Sequence, residues 1–331
     1  MQAPRRREPW LSILVAACNV APYIDAAMRS VLSQADAGVE LVVVDDASSD
    51  GTAERIDRMA RADSRVRVLH HPCNLGVAAT RTELVHAARG EYLWFVDGDD
   101  MLVPGAIDRL RATLERHPVE LVVCDFWTWE ALPWRRRRRV SYAGGAPAGD
   151  REALVAGSLQ AGQFHVWSKI ARRELWMQAP FPARTRFEDM SAVARLLVLA
   201  RSWHHAAEPW VLYRRRAGSL VQALPATALR EHADALDEMA IVLGPRMADG
   251  AARETLDYFL LRGHASIARR LQRMRIEDAG IASACRLRFE AAFPDGGRAA
   301  LAACHRRGWW LRAWRIARTL DRAGWRPLNR G

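Results

Sequence analysis

The stretch EYLWFVDGDD, residues 91–100, decides how the chain is read. Tyr92, Leu93, Trp94, Phe95 and Val96 form an aromatic and aliphatic run with the pattern of a buried strand. That run passes directly into Asp97, Gly98, Asp99 and Asp100. Three carboxylates within four residues repel one another, and no ordinary turn requires them. Gly98 permits a sharp turn and a close backbone approach to a ligand. Carboxylate oxygens at a strand end suit a hard divalent cation, Mg²⁺ or Mn²⁺, whose other ligands are phosphate oxygens. In an open α/β sheet, ligands bind outside the carboxyl ends of the strands. On these four residues alone, an acidic turn that caps the next helix is an equal alternative.

Upstream, strands and helices alternate. Leu11–Ala17 (LSILVAA) reads as a first buried strand, ended by Cys18 and Asn19, with Pro22 where a helix can start. Ile24, Ala27, Met28, Val31 and Leu32 recur at helical spacing. Residues 40–44 (ELVVV) form a second strand with Asp45 and Asp46 at its end. Residues 47–52 (ASSDGT) make a turn and a helix start, and that helix runs to about Ala62. Val66–His70 is a third strand, residues 77–88 are helical, and Gly90 stops that helix. Pro104 opens a helix to about Arg116, and residues 119–124 (VELVVC) are a fifth strand. The alternation predicts a parallel sheet covered on both faces. Strand ends of one polarity share one edge of such a sheet, so the Asp45 and Asp46 pair and the 97–100 cluster can converge on one ligand. A sugar nucleotide offers what that site needs: a base, a ribose diol and a metal-binding diphosphate.

Four blocks in order make the segment from Leu11 to about Ser219 resemble a family 2 glycosyltransferase. They are LVAACNVAPYI, LVVVDDASSDGT, NLGVAATRTELVHAARGEYLWFVDGDDMLVPGAI and Phe187-Glu188-Asp189-Met190. The resemblance implies an α/β fold of GT-A type, a Rossmann-like, mostly parallel sheet with helices on both faces, followed by a C-terminal α-helical region. It implies a transferase domain over 1–222, with a donor half about 9–126 and an acceptor half about 127–222, and a helical domain over 223–331. The implied activity is metal-dependent, inverting transfer of one sugar from a nucleotide-sugar, a UDP-sugar by family habit, to a hydroxyl acceptor. The acceptor would be a glycan or a lipid-linked molecule in cell-surface polysaccharide synthesis. Processive members of the family carry a Gln-x-x-Arg-Trp motif and membrane spans, and neither stands in this sequence.

By the same resemblance, Asp46 contacts the nucleobase, beside the strand-end backbone of Ala16 and Ala17. Asp97 contacts the ribose close to the metal, and Asp99 is the direct ligand of Mg²⁺ or Mn²⁺. Arg81 lies near the base or the diphosphate, with a solvated helix position as its alternative. Asp45 caps its turn, and Asp100 begins the next helix. Asp189 is the general base, with Glu188 beside it, although an acid at a helix start is by itself most often a cap. Two positions depart from the family pattern near the donor pocket: Cys18 replaces an aromatic residue and Thr82 an asparagine.

The middle of the chain carries less pattern. Residues 127–149 read as an irregular exposed loop holding five consecutive arginines, 135–139, that are either solvated or meet an anionic acceptor or membrane. Trp167 either stacks on a sugar or fills the core. WVLYRRRAGS, from Trp210 to Ser219, resembles the family's closing strand, and one of Arg214, Arg215 and Arg216 would reach the diphosphate. Beyond about Pro225, Ala, Leu, Arg and Glu dominate and helices follow, with breaks near Gly244, Gly280 and Pro294. Residues 305–322 read as one helix, with Trp309, Trp310, Ala313, Trp314, Ile316, Ala317 and Leu320 on one side and arginines beside them. Such a helix packs on the protein or lies peripherally in a membrane interface.

Composition sets the outer bounds. Half of the 331 residues are apolar and the net charge is +11, which marks a globular chain suited to an anionic partner. Five scattered cysteines without a CxxC pair argue against zinc and disulfides and for a reducing cytoplasm. No apolar run approaches the length of a membrane span, and no signal peptide is read at the start. A degenerate binding protein is opposed by the presence of Asp99 and Asp189. A nucleic-acid-binding role is opposed by the lack of any recognisable motif.

Overall fold

The computed structural model describes residues 8–130, 138–142, 150–183, 185–215, 225–247, 250–274 and 279–325. The first part alternates as the sequence predicts: β1 (Leu11–Ala17), α1 (Ala21–Leu32), β2 (Val39–Asp45), α2 (Thr52–Ala62), β3 (Val66–His70), α3 (Val77–Ala87) and β4 (Tyr92–Asp97). Then follow β5 (Met101–Leu102), α4 (Ala106–Arg116), β6 (Leu121–Glu130), β7 (Arg138–Val140), α5 (Arg151–Ala161), β8 (Lys169–Arg172), α6 (Arg173–Met177), α7 (Glu188–Leu199) and β9 (Trp203–Arg215). Five helices complete the described chain: α8 (Thr227–Leu243), α9 (Gly250–Met274), α10 (Ala279–Ala292), α11 (Arg298–Arg306) and α12 (Trp310–Arg322).

The sheet runs β3-β2-β1-β4-β8-β6-β9-β5, with β7 paired to β6. β1 pairs in parallel with β2 and β4, and β2 with β3. The fifth predicted strand does not extend this parallel set directly. β8 inserts antiparallel between β4 and β6, and β6 then pairs in parallel with β9. Two antiparallel steps restore the original direction, so β6 ends on the same edge as β1, β2 and β4. The stretch 127–149 also differs from its reading as a loop. β6 continues to Glu130, and Arg138 and Arg139 belong to β7, which pairs with it. Arg139 is tied by Nε to Asp125 Oδ2 at 2.9 Å, and Asp125 is fully buried. Arginines 135–137 lie outside the described residues.

Alternation along the central strands divides the core. Leu93 and Phe95 face one hydrophobic cluster with Leu14, Val42 and Val44, while Tyr92, Trp94 and Val96 face another with Ile13, Val15 and Val43. The first cluster runs on without a break through Trp176 and Leu196 into Leu236, Phe259 and Leu261 of the C-terminal helices. The helical region therefore shares a core with the sheet. The segment 305–322 is two helices, separated by Gly308 at φ +72°. Trp309 packs against Tyr258 at 5.0 Å, and Ala313, Ile316 and Leu320 are buried. Trp310 and Trp314 point the other way and are exposed.

Gly90 has a different reason from the helix stop read in the sequence. A Cβ there would stand 2.5 Å from the Ser12 backbone nitrogen. Its N–H donates to Ser12 Oγ (2.8 Å), and Ser12 donates to Glu40 Oε1 (2.6 Å), which also accepts from Arg89 N. This buried knot fixes where β4 enters the sheet. Gly90→Ala should lower stability by about 1–3 kcal/mol, the usual cost of overpacking, read by denaturant melts against wild type.

Candidate functional site

The acidic residues collect where the parallel strands end. Ala16 is in register with Val44 on one side and Asp97 on the other, and Ala17 is beside Asp45. The β1 and β2 end loops are laced together. Asn19 Oδ1 accepts from Ser49 N, Val20 N donates to Thr52 Oγ1, and Ala21 N donates to Asp50 Oδ2. Asn19 and Ala47 both adopt φ 53°, a left-handed backbone that this lacing holds in place. Much of the DDASSDGT block is therefore occupied in shaping the loop. Gly98 is needed for packing as well. A Cβ there would meet Val20 at 3.0 Å and the Ala16 carbonyl at 3.2 Å.

Asp46 is buried and organises the next loop. It accepts from Leu75 N (2.7 Å) and Gly76 N (2.9 Å), and His71 Nδ1 lies 2.7 Å from Oδ1. Glu83 stands 2.6 Å from the other ring nitrogen. Burial disfavours a charged His71, but Asp46 and Glu83 outweigh it and raise the pKa. Asp45 accepts from Ser48 N at 3.3 Å, the role of a turn cap, while its Oδ1 is buried without a partner. Cys18 receives a bond from Asn74 Nδ2 (3.2 Å), and Thr82 bonds back to the Ala78 carbonyl within its helix.

The acid cluster centres on Arg81. Its Nη2 donates to Asp97 Oδ1 at 2.9 Å, and its Nη1 donates to Glu188 Oε1. Arg81 is buried, which excludes a solvated position. Burial opposes its charge, yet Asp97, Glu188 and Asp189 together hold it more firmly protonated than usual. Glu188 is buried and its carboxyl is raised, first by burial, with Arg81 pulling the other way. Asp189 is the second residue of α7 and accepts the N–H of Met190 at 2.8 Å. Burial, then the charge of Glu188, push its carboxyl up to about 7.

Asp100 does not begin the following helix, which starts at Ala106. It is buried and accepts from Arg214 N at 2.7 Å, pinning β9 to the acidic turn. Burial and the charges of Asp97 and Asp99 raise its carboxyl well above the ordinary range. Arg214 donates to the Asp99 carbonyl at 2.9 Å and lies over the rings of Trp129 (4.1 Å) and Tyr23 (4.9 Å). Its guanidinium thus clamps the back of the turn. Arg216 lies outside the described residues.

The donor chemistry of the turn fits a hard cation. Asp97 and Asp99 supply carboxylate oxygens, as Mg²⁺ and Mn²⁺ prefer. Among the described residues no group of three or more His, Cys, Asp or Glu side chains could hold an ion. Phosphate oxygens would complete the shell.

Trp167 belongs to the core, only 3% exposed, with Phe126 edge-on at 4.5 Å and His165 and Tyr213 stacked nearly parallel to it. No face is left for a sugar. His165 and Tyr213, which the sequence reading missed, feel the acid cluster. Burial, then Lys169, lower His165 to about 4, while burial, then Asp100, raise Tyr213. Lys169 is fully buried, with Nζ donating to Ser168 Oγ (2.7 Å) and Gln163 O (3.0 Å), and burial lowers it to about 8. The His70-His71 pair at the end of a strand was the available signal for His71. Lys169 and His165 are held by near neighbours, Gln163, Ser168 and Trp167, and what the local pattern did not show is the burial of Lys169.

The profile of Glycosyl transferase family 2 matches residues 12–195, more than half of the chain. EpsJ of Bacillus subtilis, described as an uncharacterized glycosyltransferase, is 27% identical over 77% of this chain and 75% of its own. The glycosyltransferase GlyG of Streptococcus pneumoniae is 26% identical over 64% of this chain and 73% of its own. S. aureus TarS 1-349, in complex with UDP-GlcNAc, superposes with a TM-score of 0.67 at 17% identity, over 95% of this chain and 92% of that one. The mannosyltransferase PcManGT of Pyrobaculum calidifontis, in complex with GDP-Man and Mn²⁺, gives 0.52 at 18% identity, over 98% and 89%. These likenesses establish a GT-A fold followed by a helical region.

Removing the central cation should leave two carboxylates without their partner. Arg81→Ala is expected to cost about 3–5 kcal/mol, as for other broken buried ion pairs. Arg81→Lys should recover only part, because an ammonium cannot span both acids as a fork does. Chemical unfolding of both variants checks this.

Proposed function

On the premise that this chain belongs to glycosyl transferase family 2 and is a glycosyltransferase, we propose a metal-dependent, inverting and non-processive reaction. The donor is a UDP-sugar and the acceptor a hydroxyl of a glycan or lipid-linked molecule in surface polysaccharide synthesis. The observation that carries this reading is the meeting of Asp97, Arg81, Glu188 and Asp189 at one edge of the sheet, with Asp99 on the same turn as Asp97. The choice of UDP is supported by the TarS complexes with UDP-GlcNAc and UDP, and that of Mn²⁺ by the PcManGT complex.

In this reading the donor lies along the ends of β1, β2 and β4, with Ala16, Ala17 and Asp46 at the base and Asp97 at the ribose. Asp46 acts through the 71–76 loop that it holds as well as through its own oxygens. Asp99, with Asp97 beside it, would hold the cation, which would supply charge stabilisation to the departing diphosphate. Asp189 takes the proton from the acceptor hydroxyl as that oxygen bonds to the anomeric carbon. The bond from that carbon to the diphosphate oxygen breaks on the opposite face and its electron pair leaves with the phosphate. The anomeric centre inverts, and no covalent sugar–enzyme species forms. Arg81 holds Glu188 and Asp97 in place. A base near pKa 7 accepts a proton readily and is deprotonated in good part at neutral pH.

A panel of nucleotide-sugars, scored for transfer and for Mn²⁺-dependent thermal shift, tests the donor class. Asp99→Ala should abolish the Mn²⁺-dependent part of nucleoside diphosphate binding while the metal-free unfolding midpoint stays in place. Retention of that part would remove Asp99 from the metal site. Asp189→Asn should bind donor as wild type does and lose turnover by roughly 10²–10⁴-fold. In the wild type, only the carboxylate form accepts a proton. The kcat/KM should therefore rise with pH below about 7 and level off above it. That rise should vanish in Asp189→Asn, and its persistence there would assign it to another group.

A further inference from the structure

The last helix carries a surface that sugar transfer does not use. On α12, Ala313, Ile316 and Leu320 are buried and fix the helix on the protein, where it packs against α9 and α11. The opposite side is apolar and basic at once. Trp310 is 66% exposed, Leu311 60% and Trp314 53%, three of the eight exposed large hydrophobic residues among those described, gathered within five positions. Trp310 Nε1 donates to the His305 carbonyl at 3.0 Å, so its indole is held in this outward position. Arg312, Arg315, Arg318 and Arg322 stand on the same exposed turns. None of these four forms an ion pair among the described residues, whereas Arg306 and Arg307 just before them are both taken by Glu254. Arg318 lies over Trp314 at 5.0 Å, joining the charged and aromatic parts into one patch. Asp321 is the single acid on the helix.

We infer that α12 docks this protein on an anionic phospholipid surface, with Trp310, Leu311 and Trp314 entering the headgroup layer and Arg315, Arg318 and Arg322 meeting lipid phosphates. Charge complementarity selects the occupant. Arginines without acidic partners call for an anionic surface, and exposed indoles beside them are the side chains that settle at a membrane interface. The docking is peripheral, since no helix among the described residues is long and apolar enough to cross a membrane. Nucleic acid would satisfy the arginines but makes no use of Leu311. The arrangement is independent of which sugar nucleotide the enzyme uses.

The test is flotation of the full chain with phosphatidylcholine vesicles and with vesicles that also contain phosphatidylglycerol, at low and at high salt. Binding is expected only to the mixed vesicles, and it should weaken as salt screens the arginines. The W310S/W314S variant keeps every charge and should lose at least about tenfold in partition. The R315Q/R318Q/R322Q variant keeps the apolar face and should lose on the order of a hundredfold at low salt, at about fivefold for each arginine. All of these side chains are exposed, so unfolding midpoints should match wild type. Equal flotation of W310S/W314S and wild type, or equal binding to both kinds of vesicle, overturns the inference. So does displacement of the vesicles by single-stranded DNA with the two tryptophans dispensable, which would make the patch a nucleic-acid surface.

Discussion

The structure depends on one buried cation. Arg81 stands on α3, Asp97 at the end of β4 and Glu188 at the start of α7, and the guanidinium joins all three. Each carboxylate alone would be costly to keep charged in that environment, and so would the arginine. Together they hold α3, the end of β4 and the start of α7 in one geometry. The same proximity sets the chemistry of the next residue. Asp189 follows Glu188 in sequence, so wherever the clamp puts Glu188, Asp189 comes beside a like charge in a poorly solvated place, and its carboxyl rises to about 7.

Around this centre the acids divide into those that build and those left with open valence. Asp46 is saturated by two backbone N–H groups and His71, Asp50 joins the ends of β1 and β2, and Asp100 ties down β9. Asp97 has one oxygen on Arg81, and its other receives no protein donor among the described residues. A chain of net charge +11 has thus placed Asp45, Asp46, Asp97, Asp99 and Asp100 at one sheet edge, while arginines without an ion pair among the described residues gather on α12. On the proposed reading the two regions take opposite partners: a cation with its phosphates at the edge, and an anionic surface at α12.

The C-terminal helices are part of the same body in packing terms. One hydrophobic cluster passes from Phe95 on β4, through Leu196 on α7, to Leu236 and Phe259. Through α7, which carries Glu188 and Asp189, the site rests partly on helices that hold none of its reactive groups. Unpacking α8, on which α7 rests, would loosen the placement of Asp189.

The sheet edge on which the acids meet is legible in the sequence. Short-range pattern carries strand ends, and in a parallel sheet all such ends of one polarity share an edge, so Asp45, Asp46, Asp97 and Asp99 could be assigned to one region from local spacing alone. The sequence by itself also determined the alternation up to β4, the position of Asp189 at a helix start and the helical character of the last third. Tertiary structure alone decided which charges meet. Arg81 and Glu188 are 107 positions apart, and nothing local distinguishes a buried arginine from a solvated one. It likewise decided that Trp167 is core, that Asp100 holds β9, that β8 enters between β4 and β6, and that Gly308 divides the last segment so that two tryptophans face outward. The physical reason is the same in each case. Periodicity reports which face of an element is apolar, but the desolvation and pairing of a particular side chain are set by residues that only the fold brings within a few ångströms of it.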